Sequence, residues 1–167
     1  MRTRRAALAA ATLWPAGALL GCGFELRRAA PLPMKSIALT GFPPGSPLAV
    51  AMRRALRDSG VALRDNPARA EVVLEALTDA RERTVAASTA VGQVRELQLR
   101  VRLRFRLATP AGRLLIAPTD LLLTRDMSFS ETAALAKQQE EALLYGAMDE
   151  DIVAQVLRRL ASVQSGA

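Results

Sequence analysis

The clearest pattern in the chain runs from Leu97 to Leu107. Leu97, Leu99, Val101, Leu103, Phe105 and Leu107 are apolar, and Gln98, Arg100, Arg102, Arg104 and Arg106 fill the gaps between them. Strict alternation predicts a β-strand with one face in a core and the other free. Shorter patterns surround it. Ile37 and Leu39 alternate with small or polar residues over 36–40, a short strand. Gly41-Phe42-Pro43-Pro44-Gly45 breaks that strand. Ser46 then offers a side-chain cap, with Pro47 at the first helical position. Leu48, Met52, Ala55 and Leu56 share one helical face, Arg53, Arg54 and Arg57 lie off it, and Gly60 closes the helix, which spans about 47–59.

Residues 70–86 predict a strand that begins with Val72, Val73, Leu74 and Leu77 and ends in charge. The small, polar stretch 87–92 predicts a hairpin loop. Thr109-Pro110-Ala111-Gly112 turns the chain again, and another strand spans about 113–127. Pro118 cannot donate to a ladder, so it predicts an edge strand or a bulge there. Ser130 predicts a cap for a long helix over about 132–163. Its apolar stripe is Leu144, Tyr145, Met148, Ile152, Val156, Leu160 and Val163, with Glu140, Glu141, Asp149, Glu150, Arg158 and Arg159 largely outside it.

The predicted order is β-α-β-β-β-α. The fold class it implies is α+β: a two-layer sandwich of a four-stranded mixed sheet packed on two helices. The expected organisation is a signal peptide over 1–21, a lipidated N-terminal tether over 22–35, one α+β domain over 36–163 and a frayed tail over 164–167.

The first segment differs in kind from the rest. Arg2, Arg4 and Arg5 precede an uncharged run from Ala6 to Gly21 that contains Pro15. It is short for a bilayer span, which takes about 20 apolar residues, and it suits a secretory signal. Sec export fits it better than the weak Arg4-Arg5 hint of the twin-arginine route. The run ends Leu19-Leu20-Gly21-Cys22, the residue types of a bacterial lipobox. The Cys22 thiol would accept the acylglyceryl group, and Gly21 would admit the peptidase. Cys22 is the sole cysteine, so an intrachain disulfide is excluded. Gly23, rather than an acidic residue, points the sorted product to the outer membrane.

The chain of 167 residues carries 23 Lys and Arg against 16 Asp and Glu. Loss of residues 1–21 removes three arginines and leaves a basic mature chain. Acidic partners are favoured electrostatically; in a cell envelope that means phosphate-bearing lipid, not nucleic acid. The chain has no histidine, which removes the commonest general base and metal ligand. No phosphate loop or nucleophile elbow is present. No catalytic residue, metal site or cofactor is expected. Two surface features stand out. Arg100, Arg102, Arg104 and Arg106 form a ladder at about 6.8 Å spacing. It is either a possible basic surface for an acidic partner or a solvated face offset by Glu75, Asp79 and Glu82 on the preceding strand. Lys137 is the only lysine after Lys35, and the helix pattern alone makes it an ordinary solvated position.

Taken in order, the lipobox running into Cys22-Gly23-Phe24-Glu25-Leu26-Arg27, the Ser46-Pro47-Leu48 helix start, Gly92-Gln93-Val94-Arg95-Glu96-Leu97, Arg125-Asp126 and Ala134-Leu135-Ala136-Lys137 with Glu140-Glu141 resemble the LptE family of LPS-assembly lipoproteins. The resemblance spans essentially the whole mature chain. It implies a non-enzymatic lipoprotein of the Gram-negative outer membrane, held there by its N-terminal lipid. It implies a partner, the LPS-assembly outer-membrane β-barrel, which the lipoprotein plugs and helps to assemble, and delivery of lipopolysaccharide to the outer leaflet. It also implies lipopolysaccharide binding through basic residues. Lys137 occupies one such position. The loop that carries a second in some members is uncharged here, so Arg95 is the substitute. The alternative is a ligand- or lipid-binding auxiliary lipoprotein of an envelope ABC transporter, which would need an apolar pocket; an envelope hydrolase has no supporting feature.

Overall fold

The computed structural model describes residues 31–163. The signal segment, Cys22, most of the tether and the 164–167 tail lie outside the described residues. Five strands and two helices are present: β1 (Ser36–Thr40), α1 (Pro47–Asp58), β2 (Ala62–Leu63), β3 (Val72–Ser88), β4 (Val94–Ala108), β5 (Leu114–Ser128) and α2 (Ala134–Ala161). The sheet order is β2-β1-β3-β4-β5. β1 is parallel to both β2 and β3, while β3, β4 and β5 run antiparallel.

The expected count of four strands is corrected to five. β2 pairs Ser36 with Ala62 and Ile37 with Leu63; two residues are too few to carry a period. α1 forms as the sequence predicts. The Ser46 hydroxyl accepts from the Ala49 amide at 3.0 Å. Past the C-cap Ser59, Gly60 takes φ +78°, and its amide and that of Val61 return to the Arg57 and Leu56 carbonyls, as in a left-handed helix stop. Ser130, in contrast, does not cap α2. It opens a 3-10 turn over Glu131–Ala133, Ala133 holds the cap position, and neither gives a side-chain cap bond.

One cluster of buried side chains joins the elements. The alternating apolar residues of β4 are at its centre, with Ile37 and Leu74 from the sheet, Leu48, Met52 and Leu56 from α1, and Met148, Ile152, Val156 and Leu160 from α2. β5 is an edge strand. Phe105 faces Thr119 while Leu107 faces Ile116, so an extra residue is inserted beside Pro118. A missing donor is tolerated at such a place.

The helices run side by side. Ser46, at the start of α1, donates to Asp79, and Asp149 of α2 meets Arg81, two positions along the same strand. Each helix then continues for about twelve residues, roughly 18 Å, towards the end of the sheet where β1 begins. That end is here the near end. The far end holds the β3–β4 hairpin, the end of β5 and the start of α2, tied by Lys137 to Ser128.

Candidate functional site

Two of the predicted residues meet at the far end. Arg95 stands at an irregularity near the start of β4: Ala87 pairs with Glu96 and Ser88 with Val94, so Arg95 is the extra residue. Bulges re-aim side chains. The Arg95 carbonyl accepts from the Phe129 amide at 2.8 Å, fixing its backbone against the end of β5, and the residue is exposed. Lys137 lies on the first turn of α2. It is not the solvated lysine that the helix pattern predicts: its side chain is only 19% exposed. Its ammonium donates to Ser128 at 2.9 Å and to Glu140 at 2.7 Å. The two cations thus share one end of the fold, one exposed and one anchored.

The arginine ladder lies on the face opposite the core. Arg106 is paired with Glu75, Arg102 with Asp120, and Arg100 donates to Gln98 at 2.9 Å. The Arg102 hydrogen bond holds the Asp120 carboxyl below its ordinary range. Glu82 stands opposite Arg100, and Gln98 donates to Asp126 at 3.0 Å. Glu75 and Glu82 offset the ladder as the sequence suggested. Asp79 does not, because β3 changes face. Ala76 pairs with Phe105 and Thr78 with Arg104, so Leu77 is an extra residue. Beyond it Asp79, Arg81, Arg83 and Val85 stand opposite Leu103, Val101, Leu99 and Leu97, on the helix side. The outer face therefore balances Arg100, Arg102, Arg104 and Arg106 with Glu75, Glu82, Asp120 and Asp126. It is polar and close to neutral, not a basic strip.

The shift also builds a seam that sequence reasoning missed. Arg81 pairs with Asp149, which is only 3% exposed. The guanidinium carbon of Arg81 lies 5.1 Å from the centre of the Tyr145 ring, within cation–π range. The Tyr145 hydroxyl donates to the Glu82 carbonyl at 2.8 Å, and Arg83 meets Glu141 at 3.1 Å. Burial pushes the Asp149 carboxyl up, Arg81 pulls it back, and Asp79 adds to the rise. Burial likewise raises the Tyr145 phenol. Asp149 Oδ1 has no partner. Asp149 was expected outside the buried stripe; here it closes the gap between α2 and a strand whose core-side residues have become charged.

Among the described residues no group of three or more metal-type ligands occurs, and no helix is long and apolar enough to cross a membrane. One open cleft of about 370 Å³ lies over the β4–β5 turn, lined in part by Pro67, Val73 and Pro110 and by the paired Glu75 and Arg106.

The sequence pattern of LptE, described as lipopolysaccharide-assembly, matches residues 34–160, nearly the whole of this α+β domain. The chain belongs to the LptE family. It is 28% identical over 146 residues to the LPS-assembly lipoprotein LptE of Pectobacterium atrosepticum, covering 86% of this chain and 78% of that one. The LptE of Yersinia enterocolitica is 27% identical over 148 residues, covering 87% and 70%. Among solved structures, an uncharacterized lipoprotein B from Nitrosomonas europaea superposes with TM-score 0.70 at 27% identity, covering 84% of this chain and 91% of that one. Rare lipoprotein B from Shewanella oneidensis gives 0.63 at 27% identity, covering 76% and 94%. LptE proteins are lipoproteins of lipopolysaccharide assembly, and the lipobox before Cys22 accords with that membership.

Proposed function

We propose that this LptE-family chain is exported, cut before Cys22 and lipidated there, and that its domain plugs the LPS-assembly outer-membrane β-barrel and supports its assembly. In that role it performs no catalysis and helps deliver lipopolysaccharide to the outer leaflet. The observation that carries the reading is the match of the family pattern to nearly the whole domain. The domain also has the character a plug requires. Its interior is filled by a cluster of buried side chains, and its free sheet face is mainly a charge-balanced array of Arg, Asp, Glu, Gln and Thr, with Leu122 exposed among them. Barrel lumens are polar, so such a face can meet one while covering little apolar surface beyond Leu122. A lipid carrier for a transporter would need an apolar cavity instead, and the described cleft is open and partly charged.

Lipopolysaccharide contact is assigned to Arg95 and Lys137. Both lie at the far end, and a guanidinium is suited to bidentate phosphate contact. The carboxylate of Glu140 beside Lys137 means that an incoming phosphate must compete with it.

Mild-detergent extraction of envelopes followed by capture of this protein is expected to recover a large outer-membrane β-barrel protein in stoichiometric amount. Capture of the intact lipoprotein alone contradicts the plug role. In a direct assay, Arg95→Glu with Lys137→Glu is expected to weaken lipopolysaccharide binding about tenfold or more, on the scale of two lost charge-assisted contacts, with the thermal unfolding transition retained. Unchanged binding rejects these two positions.

A further inference from the structure

The charge of the domain is divided between its two ends. The near end comprises the lead-in with β1 (31–40), the last two turns of α1 with β2 and the start of β3 (52–75), the β4–β5 turn (106–116) and the last two turns of α2 (155–163). These segments hold ten Arg and Lys against four Asp and Glu, while the other described residues hold eight against eleven. The whole excess of positive charge therefore sits at the near end. Most of it is unneutralised. Arg106 is paired with Glu75 and Arg54 lies 3.9 Å from Asp58. Arg53, Arg57, Arg64, Arg113 and Arg158 are exposed and have no ion pair among the described residues.

Helix capping accounts for only part of this. Arg57, Arg158 and Arg159 are in the last turns of α1 and α2, where cations are favourable beside free carbonyls. Arg53 is a turn earlier, and Arg64 and Arg113 are in connections with no helix end to complement.

The near end is also where the chain enters from the N-terminus. Lys35 precedes β1 directly, and the Lys35 carbonyl accepts from the Ala62 amide at 2.9 Å. Lys35 lies thirteen positions beyond Cys22, a reach of at most about 45 Å when fully extended. Arg27 and Arg28 lie within that stretch. Such a tether holds the domain near a leaflet but does not choose which end faces it; an uneven charge does.

We infer that the near end is a docking surface for the anionic phospholipid headgroups of the leaflet that holds the anchor. A lipid chain and a basic patch are the two signals that together give stable membrane attachment. Near an anionic surface each Lys or Arg contributes about 1 kcal/mol, roughly fivefold in affinity. The arrangement leaves the far end, with Arg95 and Lys137, directed away from that leaflet. The inference takes the anchor at Cys22 from the proposed function, but its test does not require acylation, so the two can fail separately.

The test is co-sedimentation of the chain from residue 22 onward, carrying Cys22→Ser, with vesicles of phosphatidylcholine alone or mixed with phosphatidylglycerol. Binding is expected only to the mixed vesicles. It is expected to fall steeply as salt rises from about 0.1 M to about 1 M, which shortens the Debye length from about 10 Å to about 3 Å. Arg53→Glu with Arg57→Glu is expected to weaken binding about tenfold or more. The charge-matched pair Arg100→Glu with Arg104→Glu, on the outer sheet face, is expected to weaken it far less. Thermal unfolding of both variants confirms that each is folded. Equal binding to neutral vesicles, no binding at all, or equal losses in the two variants overturns the inference. So does binding that appears only when lipopolysaccharide replaces phosphatidylglycerol.

Discussion

Arg81 and Asp149 show what one displaced residue can demand. Their pairing places a carboxylate in the interior with one oxygen unpartnered, and desolvation of that carboxyl outweighs the pull of Arg81. The folded chain therefore holds the Asp149 proton more tightly than the unfolded chain does. Its linkage runs opposite to that of an ordinary paired carboxylate. Relative to Asp149→Asn, the stability of the native chain is expected to fall as pH rises through the ordinary Asp range to the raised value, then to level off. Arg81→Met leaves the carboxylate without its counter-ion. It is expected to cost about 2–4 kcal/mol at pH 7 and clearly less at a lower pH, where protonation relieves the charge. Equilibrium denaturation at both pH values checks this; an equal cost at both would show that Asp149 is not the group left stranded. Asp149 could not have been picked out from the sequence, because it follows Met148 at an angle outside the apolar stripe and reads as one more solvated acid.

At the scale of elements, periodicity was informative wherever a strand kept one register. β4 keeps its alternation from Leu97 to Leu107, and all six apolar residues are buried. β3 does not, since the extra residue Leu77 moves its core side from Val72, Leu74 and Ala76 to Asp79, Arg81 and Arg83. A charged half-strand facing a helix has the same sequence appearance as a charged half-strand facing water, so its partners on α2 were illegible. β2 was invisible for a simpler reason, its length. A close backbone approach beside the shift can be tested at Gly41. This residue has φ +77°, and an added Cβ would collide with the Ala76 carbonyl, immediately before the extra residue. Gly41→Ala is expected to destabilise the domain by about 2–4 kcal/mol, combining left-handed strain with overpacking. Gly45→Ala, at φ +74° with nothing within 4 Å of the added carbon, is expected to bear the strain alone, about 1–2 kcal/mol. Equal costs in thermal or chemical unfolding would remove the close approach from the explanation.

The whole molecule is a small domain whose surfaces differ in chemistry. Its core joins one sheet face to both helices, its other sheet face is polar and charge-balanced, and its excess positive charge collects where the chain enters. The candidate residues at the far end were legible only through family resemblance. Composition gave no reason to single out Arg95 among many arginines, and helix periodicity assigned Lys137 to solvent. What residue patterns alone suggested was an address, from a segment patterned like an export signal and a lipobox sequence, and an α+β fold. The proposed plug role would set the outer sheet face against a barrel wall, and that contact can be tested. A photoreactive residue at Thr124, exposed opposite Arg100 on that face, is expected to form a covalent adduct with a large outer-membrane β-barrel protein when intact cells are irradiated. Absence of any such adduct there and at Thr84, which faces Gln98 on the same side, while the lipoprotein itself is recovered from the outer membrane, would contradict the account.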